Sequence, residues 1–149
     1  MSQTYIGSTL RTGSGTLTDS TDGGFVVVSQ TTTVTTAAAG TATSATLTLP
    51  ASAQIINIIV DTVQLQVIGA GTATTMPVTV GTAAAGTQYV SATDAIAGGR
   101  VTLAFTAAQL AAMADIGANQ SVVITADPNG TVVTTQAIYR LTVAYAQKV

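Results

Sequence analysis

From Phe25 onward, short runs of alternating apolar and polar residues are separated by Gly, Pro, Asn, Asp and Ser. A period of two marks half-buried strands joined by turns. It predicts strands over 25–35, 45–49, 55–61, 63–68, 76–80, 87–91, 100–105, 121–126, 131–135 and 138–146. Many short strands at this spacing argue for an antiparallel sandwich or small barrel. Val63, Leu65 and Val67 share one face of their run and Gln64 and Gln66 the other. Val101, Leu103 and Phe105 repeat the pattern, as do Tyr139, Leu141, Val143 and Tyr145, so these are expected core faces. The run Ile55, Ile56, Ile58, Ile59, Val60 is apolar on both faces, as in a central strand or one at a subunit interface. Ile55 and Ile59 are therefore candidate subunit-interface residues.

One segment has a helical signature. Thr106 and Gln109 have the spacing of a capping box, and Phe105 and Leu110 occupy the matching staple positions. The alanines of 107–114 favour helix, Leu110 and Met113 lie three apart on one face, and Gly117 supplies a stop. A short helix over 106–116 is expected to plug one end of the sandwich. Asp127-Pro128-Asn129-Gly130 reads as a hairpin turn. Thr-Ala-Ala-Ala-Gly-Thr occurs at both 36–41 and 82–87, but the flanking residues do not keep the match, so it reads as biased composition rather than a repeat.

Residues 1–24 hold five glycines among Ser, Thr and Asp, with few large apolar groups. They read as an extended N-terminal arm that orders against a partner, or as a disordered tail, and 25–149 as one β-sandwich domain. Nothing in the first eleven residues has the basic start and apolar middle of a secretory signal.

Charge sharpens this picture. Charged residues make up 7% of the chain and hydrophobic ones 47%, against about 25% charged in an ordinary soluble domain. No Asp, Lys or Arg lies between Asp22 and Asp61, nor between Asp61 and Asp94. Such a surface has little charge repulsion to keep copies apart, which argues for a protein covered by neighbours in an assembly. Arg11, Arg100, Arg140 and Lys148 are scattered, and the net charge is −2, so no nucleic-acid partner is expected. The apolar stretch 49–70 is interrupted by Asp61, Asn57 and three glutamines, so it reads as two strands and not as a membrane span.

Catalytic chemistry has few parts to draw on. The chain has no His, no Cys and no Glu, and its single Lys is next to the last residue. Proton transfer and nucleophilic attack near neutral pH need such groups, so an enzyme is not expected. Asp19-Ser-Thr-Asp22-Gly-Gly lacks the further acidic ligands of a calcium loop and reads as a glycine turn. Gly69-Ala-Gly71 lacks the spacing of a phosphate loop. Neither a metal nor a cofactor is expected. With no Trp, and with Tyr139 and Tyr145 on a core face, carbohydrate binding is a minor alternative.

The strings Leu49-Pro-Ala-Ser-Ala-Gln-Ile-Ile56 and Val78-Thr-Val-Gly-Thr-Ala-Ala-Ala-Gly-Thr-Gln-Tyr-Val90 resemble small bacteriophage virion proteins that decorate capsids or form head fibres. Gly98-Gly-Arg-Val101, the 105–113 segment and the closing 141–147 extend the likeness over about two-thirds of the chain. The resemblance implies a jelly-roll-like sandwich, commonly a homotrimer, that sits on the virion surface and clamps neighbouring copies of the major capsid protein. It also implies that the arm reaches the capsid, with Tyr5, Ile6, Leu10 and Arg11 as contact residues. The alternative within that family is a head or tail fibre, or a spike, that binds a host surface.

Overall fold

The computed structural model describes residues 25–37, 41–65, 67–68, 75–114, 116, 118–128 and 133–148. The strands, in chain order, are β1 (Phe25–Thr35), β2 (Thr43–Leu49), β3 (Ala53–Gln64), β4 (Val67–Ile68), β5 (Pro77–Gly81), β6 (Val90–Asp94), β7 (Gly99–Arg100), β8 (Gln120–Ala126), β9 (Val133–Thr135) and β10 (Ile138–Lys148). One helix, α1 (Ala107–Ala114), lies between β7 and β8. A front sheet has the order β1-β10-β3-β7, a back sheet the order β2-β8-β5-β6, and β4 and β9 form a separate two-stranded ribbon.

Every ladder is antiparallel, and the pairing is nested. With the ribbon set aside, the first strand pairs with the last, β1 with β10. The second pairs with the seventh, β2 with β8, the third with the sixth, β3 with β7, and the fourth with the fifth, β5 with β6. The chain is thus one long hairpin folded over on itself, which is the jelly roll. The ladders β10–β3 and β8–β5 then close each four-stranded sheet.

Between the sheets lies a single core. Tyr139, Leu141, Val143 and Tyr145 of β10 are buried, as the alternation predicts, against Val122 and Ile124 of β8, Val78 and Val80 of β5, and Leu47 and Leu49 of β2. Val101, Leu103 and Phe105 pack half-buried against them.

The isoleucine run departs from simple alternation because the β3–β10 register slips twice. Ala144 faces Asn57 and Tyr145 faces Ile55, so Ile56 is left without a partner. Tyr139 faces Thr62 and Ile138 faces Gln64, so Val63 is skipped in turn. An extra residue in one strand of a ladder reverses the side-chain phase beyond it. The first bulge therefore keeps Ile55, Ile58 and Val60 all on the core face while Ile56 points out. The same reversal puts Val60 and Thr62 in phase with the core and Val63 out of it, and Val63 and Leu65 are both exposed, not in the core as their alternation suggests. The stretch read as two strands, 55–61 and 63–68, is one bulged strand followed by the short β4.

The helix begins where its capping box sits. The Thr106 N–H donates to Gln109 Oε1 at 2.9 Å and the Gln109 N–H to Thr106 Oγ1 at 3.2 Å. Its buried face is Gln109 and Met113, four apart, while Leu110 is exposed, contrary to the expected Leu110/Met113 pairing. The cause is the cap itself. Gln109 folds back toward Thr106, and its amide nitrogen donates to Thr87 O and Ser91 Oγ, both at 3.0 Å. These bonds turn position 109 toward the 87–91 segment and position 110 away.

The segment 82–88 folds back over the outer surface of the back sheet. The Ala85 N–H donates to Thr125 Oγ1 at 2.8 Å, and Val123 and Thr125, which alternate with the core residues of β8, are buried. A Cβ at Gly81 would overlap the Gly86 backbone and the Gln88 side chain, so the Val80-Gly81-Thr82 turn requires its glycine.

Candidate interaction surface

The outer face of the front sheet carries Ser29, Thr31, Thr33 and Thr35 from β1, Arg140, Thr142 and Ala144 from β10, and Ile56, Asn57, Ile59 and Asp61 from β3. Hydroxyls and small apolar groups dominate it, and the Thr31 and Thr142 hydroxyls lie 3.4 Å apart across the β1–β10 ladder. One row differs. Thr33 faces Arg140, Arg140 faces Asp61 and Asp61 faces Arg100, so three charges stand side by side on three strands.

In this row Arg100 Nε donates to Asp61 Oδ1 at 2.9 Å, and Arg140 Nη2 to Asp61 Oδ2 at 3.1 Å. The carboxylate is 16% exposed, whereas the arginines are 67% and 49% exposed. One anion is thus covered by two cations that remain open to solvent, leaving a local excess of positive charge. The hydrogen bond from Arg100 is the largest cause holding the Asp61 carboxyl below its ordinary 3.8, opposed by its partial desolvation and reinforced by Arg140. A carboxyl with a lowered folded pKa contributes stability that is present above its unfolded value and lost as pH falls through the folded one. Asp61→Asn is therefore expected to lower the urea midpoint at neutral pH. Its midpoint should converge with the wild-type value as pH falls through the lowered folded pKa of Asp61, as a parallel pH series for the two proteins would test.

Two clefts of ≈ 210 Å³ flank Arg100. One is lined by Asn57, Ile58, Ile59, Val101, Leu103 and Phe105, the other by Asp94, Ala95, Ala97, Gly98, Val101 and Thr102, with Arg100 in the wall of both. They exist because β7 pairs with β3 only at Arg100–Asp61 and Gly99–Thr62. After the Val101 N–H donates to Val60 O, the chain leaves the β3 edge, and the strand expected over 100–105 stops pairing early. Leu103 and Phe105 pack on the core instead.

The two expected interface residues separate. Ile55 is 4% exposed and belongs to the core, a correction that follows from the bulge, and Ile59 is half-buried on the outer face. Ile56, 54% exposed, holds the outward position assigned to Ile55. Tyr5, Ile6, Leu10 and Arg11 lie outside the described residues, as do Asp19–Asp22 and Gly69–Gly71. The described chain meets that N-terminal segment at Phe25, which faces Lys148. Gln147 faces Ala53 at the same end of the front sheet.

Sequence reasoning missed the Asp61 row, although a signal was present. Asp61 closes the apolar run Ile58-Ile59-Val60, and a charge set into such a strand needs a partner. Among the described residues no group of three or more His, Cys, Asp or Glu is placed to hold a metal ion. Burial pushes the Tyr139 phenol up to about 12, helped by the charge of Asp94, and burial also raises Tyr89. Both phenols therefore stay protonated at neutral pH. What the face offers chemically is contact: hydroxyls, small apolar groups and one ionic row. No protein-family model, no curated protein and no solved structure matches the chain.

Proposed function

We propose that this chain is a non-enzymatic structural protein of a bacteriophage virion. In this reading it is a decoration, or cement, protein that lies on the capsid surface and stabilises the major capsid protein lattice. The observation that carries the reading is a β-sandwich whose broad outer face is almost free of charge, from Ser29 to Ala144, apart from the Asp61 row. A surface of hydroxyls and short apolar groups suits burial against neighbours more than it suits an isolated protein. The likeness of 49–56 and 78–90 to phage decoration proteins supplies the virion setting, and the same likeness makes residues 1–24 the arm that reaches the capsid. A cement protein acts by binding only: each copy adds contact free energy across a subunit joint, and many identical joints add together.

Quantitative mass spectrometry of purified virions tests the reading. A copy number near that of capsid lattice sites is expected, together with binding of the purified protein to expanded capsids. A few copies at one vertex or at the tail would replace cement by a fibre or spike. Absence from virions with retention on a glycan panel would move the protein to carbohydrate binding.

A further inference from the structure

The four strands that end the two sheets are protected very unevenly. Sheet edges carry unpaired N–H and C=O groups, and proteins usually blunt them with charges, proline, bulges or very short strands. On one flank, β7 has two residues including Arg100, and β6 has five residues and ends in Asp94. On the opposite flank β1 has eleven residues, FVVVSQTTTVT, with no charge and no proline, and it pairs with β10 in unbroken register. The back-sheet edge beside it, β2, is TSATLTL, again without charge or proline. No ionisable residue occurs anywhere from Phe25 to Leu49. Among the described residues no strand pairs with the outer side of either β1 or β2.

Side-chain burial on this flank points the same way. Val26, Val28, Gln30 and Thr32 face inward between the sheets, yet they are only half-buried, as is Ala45 of β2. Val28 and Ala45 pack on the core with one side uncovered, and Val27 on the outer face is 65% exposed. The seam between the sheets is closed on the β7 and β6 flank by the segment 101–106 and α1. Among the described residues no such segment covers the β1 and β2 flank.

We propose that the β1 edge is a self-association site that takes a second copy of this chain, β1 against β1 in antiparallel register across a two-fold axis. The strand is its own complement. Eleven residues laid antiparallel on the same eleven place Gln30 on the axis, set Val27 opposite Thr33 and Ser29 opposite Thr31, and bring no like charges together. The contact runs roughly 37 Å along the strands, joins the two front sheets into one, and covers Val26 and Val28 from the side. This inference does not depend on the virion reading. It differs from the three-fold assembly that the phage likeness implies, because a strand pairing with its own copy makes a closed pair.

Sedimentation equilibrium of the wild-type chain and of Ser29→Lys/Thr31→Lys tests the proposal. Both positions are exposed on the outer face, so the lysines leave the core intact, but the two-fold would bring four of them together. The wild-type protein should show twice the chain mass at about 100 μM. The variant should show the single-chain mass, with a dissociation constant raised at least about 100-fold. A single-chain mass for the wild type, a three-fold mass, or a pair indifferent to the lysines would each overturn the proposal. Should the variant fail to fold, amide exchange of the wild type decides. Outward-facing β1 amides should be protected in concentrated but not in dilute solution, and equal exchange at both concentrations counts against the pairing.

Discussion

Ile55→Ala is expected to lower the free energy of unfolding by about 3 kcal/mol, and the same truncation at Ile56 by less than about 0.5 kcal/mol. The two residues are neighbours of the same type in one strand, and a smooth strand would simply set them on opposite faces. What decides between them is the bulge opposite Ala144 and Tyr145, which puts Ile55 in phase with Ile58 and Val60. Ile55 sits beside Tyr145 in the core, so truncation removes buried methyl groups and leaves a cavity. Ile56 gives up contact mainly with water. Urea unfolding of both variants, compared at constant slope, reads the difference. A larger loss at Ile56 than at Ile55 would show that the strand runs without the bulge.

Gln109→Ala should cost about 2 kcal/mol even though alanine is the better helix former. Gln109 is buried, and its amide accepts from the Thr106 N–H and donates to Thr87 O and Ser91 Oγ. Truncation leaves the first of these without its side-chain cap and the other two without their donor, inside a partly closed space. Gln109→Glu separates the two roles, because it keeps the capping oxygen but loses the amide donor. The alanine variant should lose helix signal by circular dichroism and fall in urea midpoint. The glutamate variant should keep the helix signal and still fall in midpoint, since a carboxylate would face Thr87 O.

Strand β10 was legible from period alone, because Tyr139, Leu141, Val143 and Tyr145 alternate with outward-facing residues, while β1 and β8 were legible from runs of β-branched residues. The capping box was legible because its two side chains act on neighbouring backbone. Which sheet each strand joins, by contrast, depends on contacts such as Val28 with Tyr145, 117 positions apart, which no local pattern encodes. The assignment of Val63 and Leu65 to the core failed for a related reason: a bulge depends on the partner strand, and β10 lies far along the chain. The helix face failed because hydrophobicity favoured Leu110, whereas hydrogen bonding turned Gln109 inward. The Asp61 row needed the β10–β3–β7 order before its two arginines met one carboxylate, so only the need for a partner at Asp61 could be read beforehand.

The nested hairpin also sets a schedule for synthesis. The front sheet is held by β10, which stands between β1 and β3, and among the described strands β10 is made after all the others. While the intervening hundred or so residues emerge, β1 and β3 wait without the neighbour that joins them, and an uncharged strand waits with both edges open. Chains cut short before Ile138 therefore lack the strand that couples the two halves of that sheet. Such fragments should be recovered as aggregates, not as smaller folded proteins.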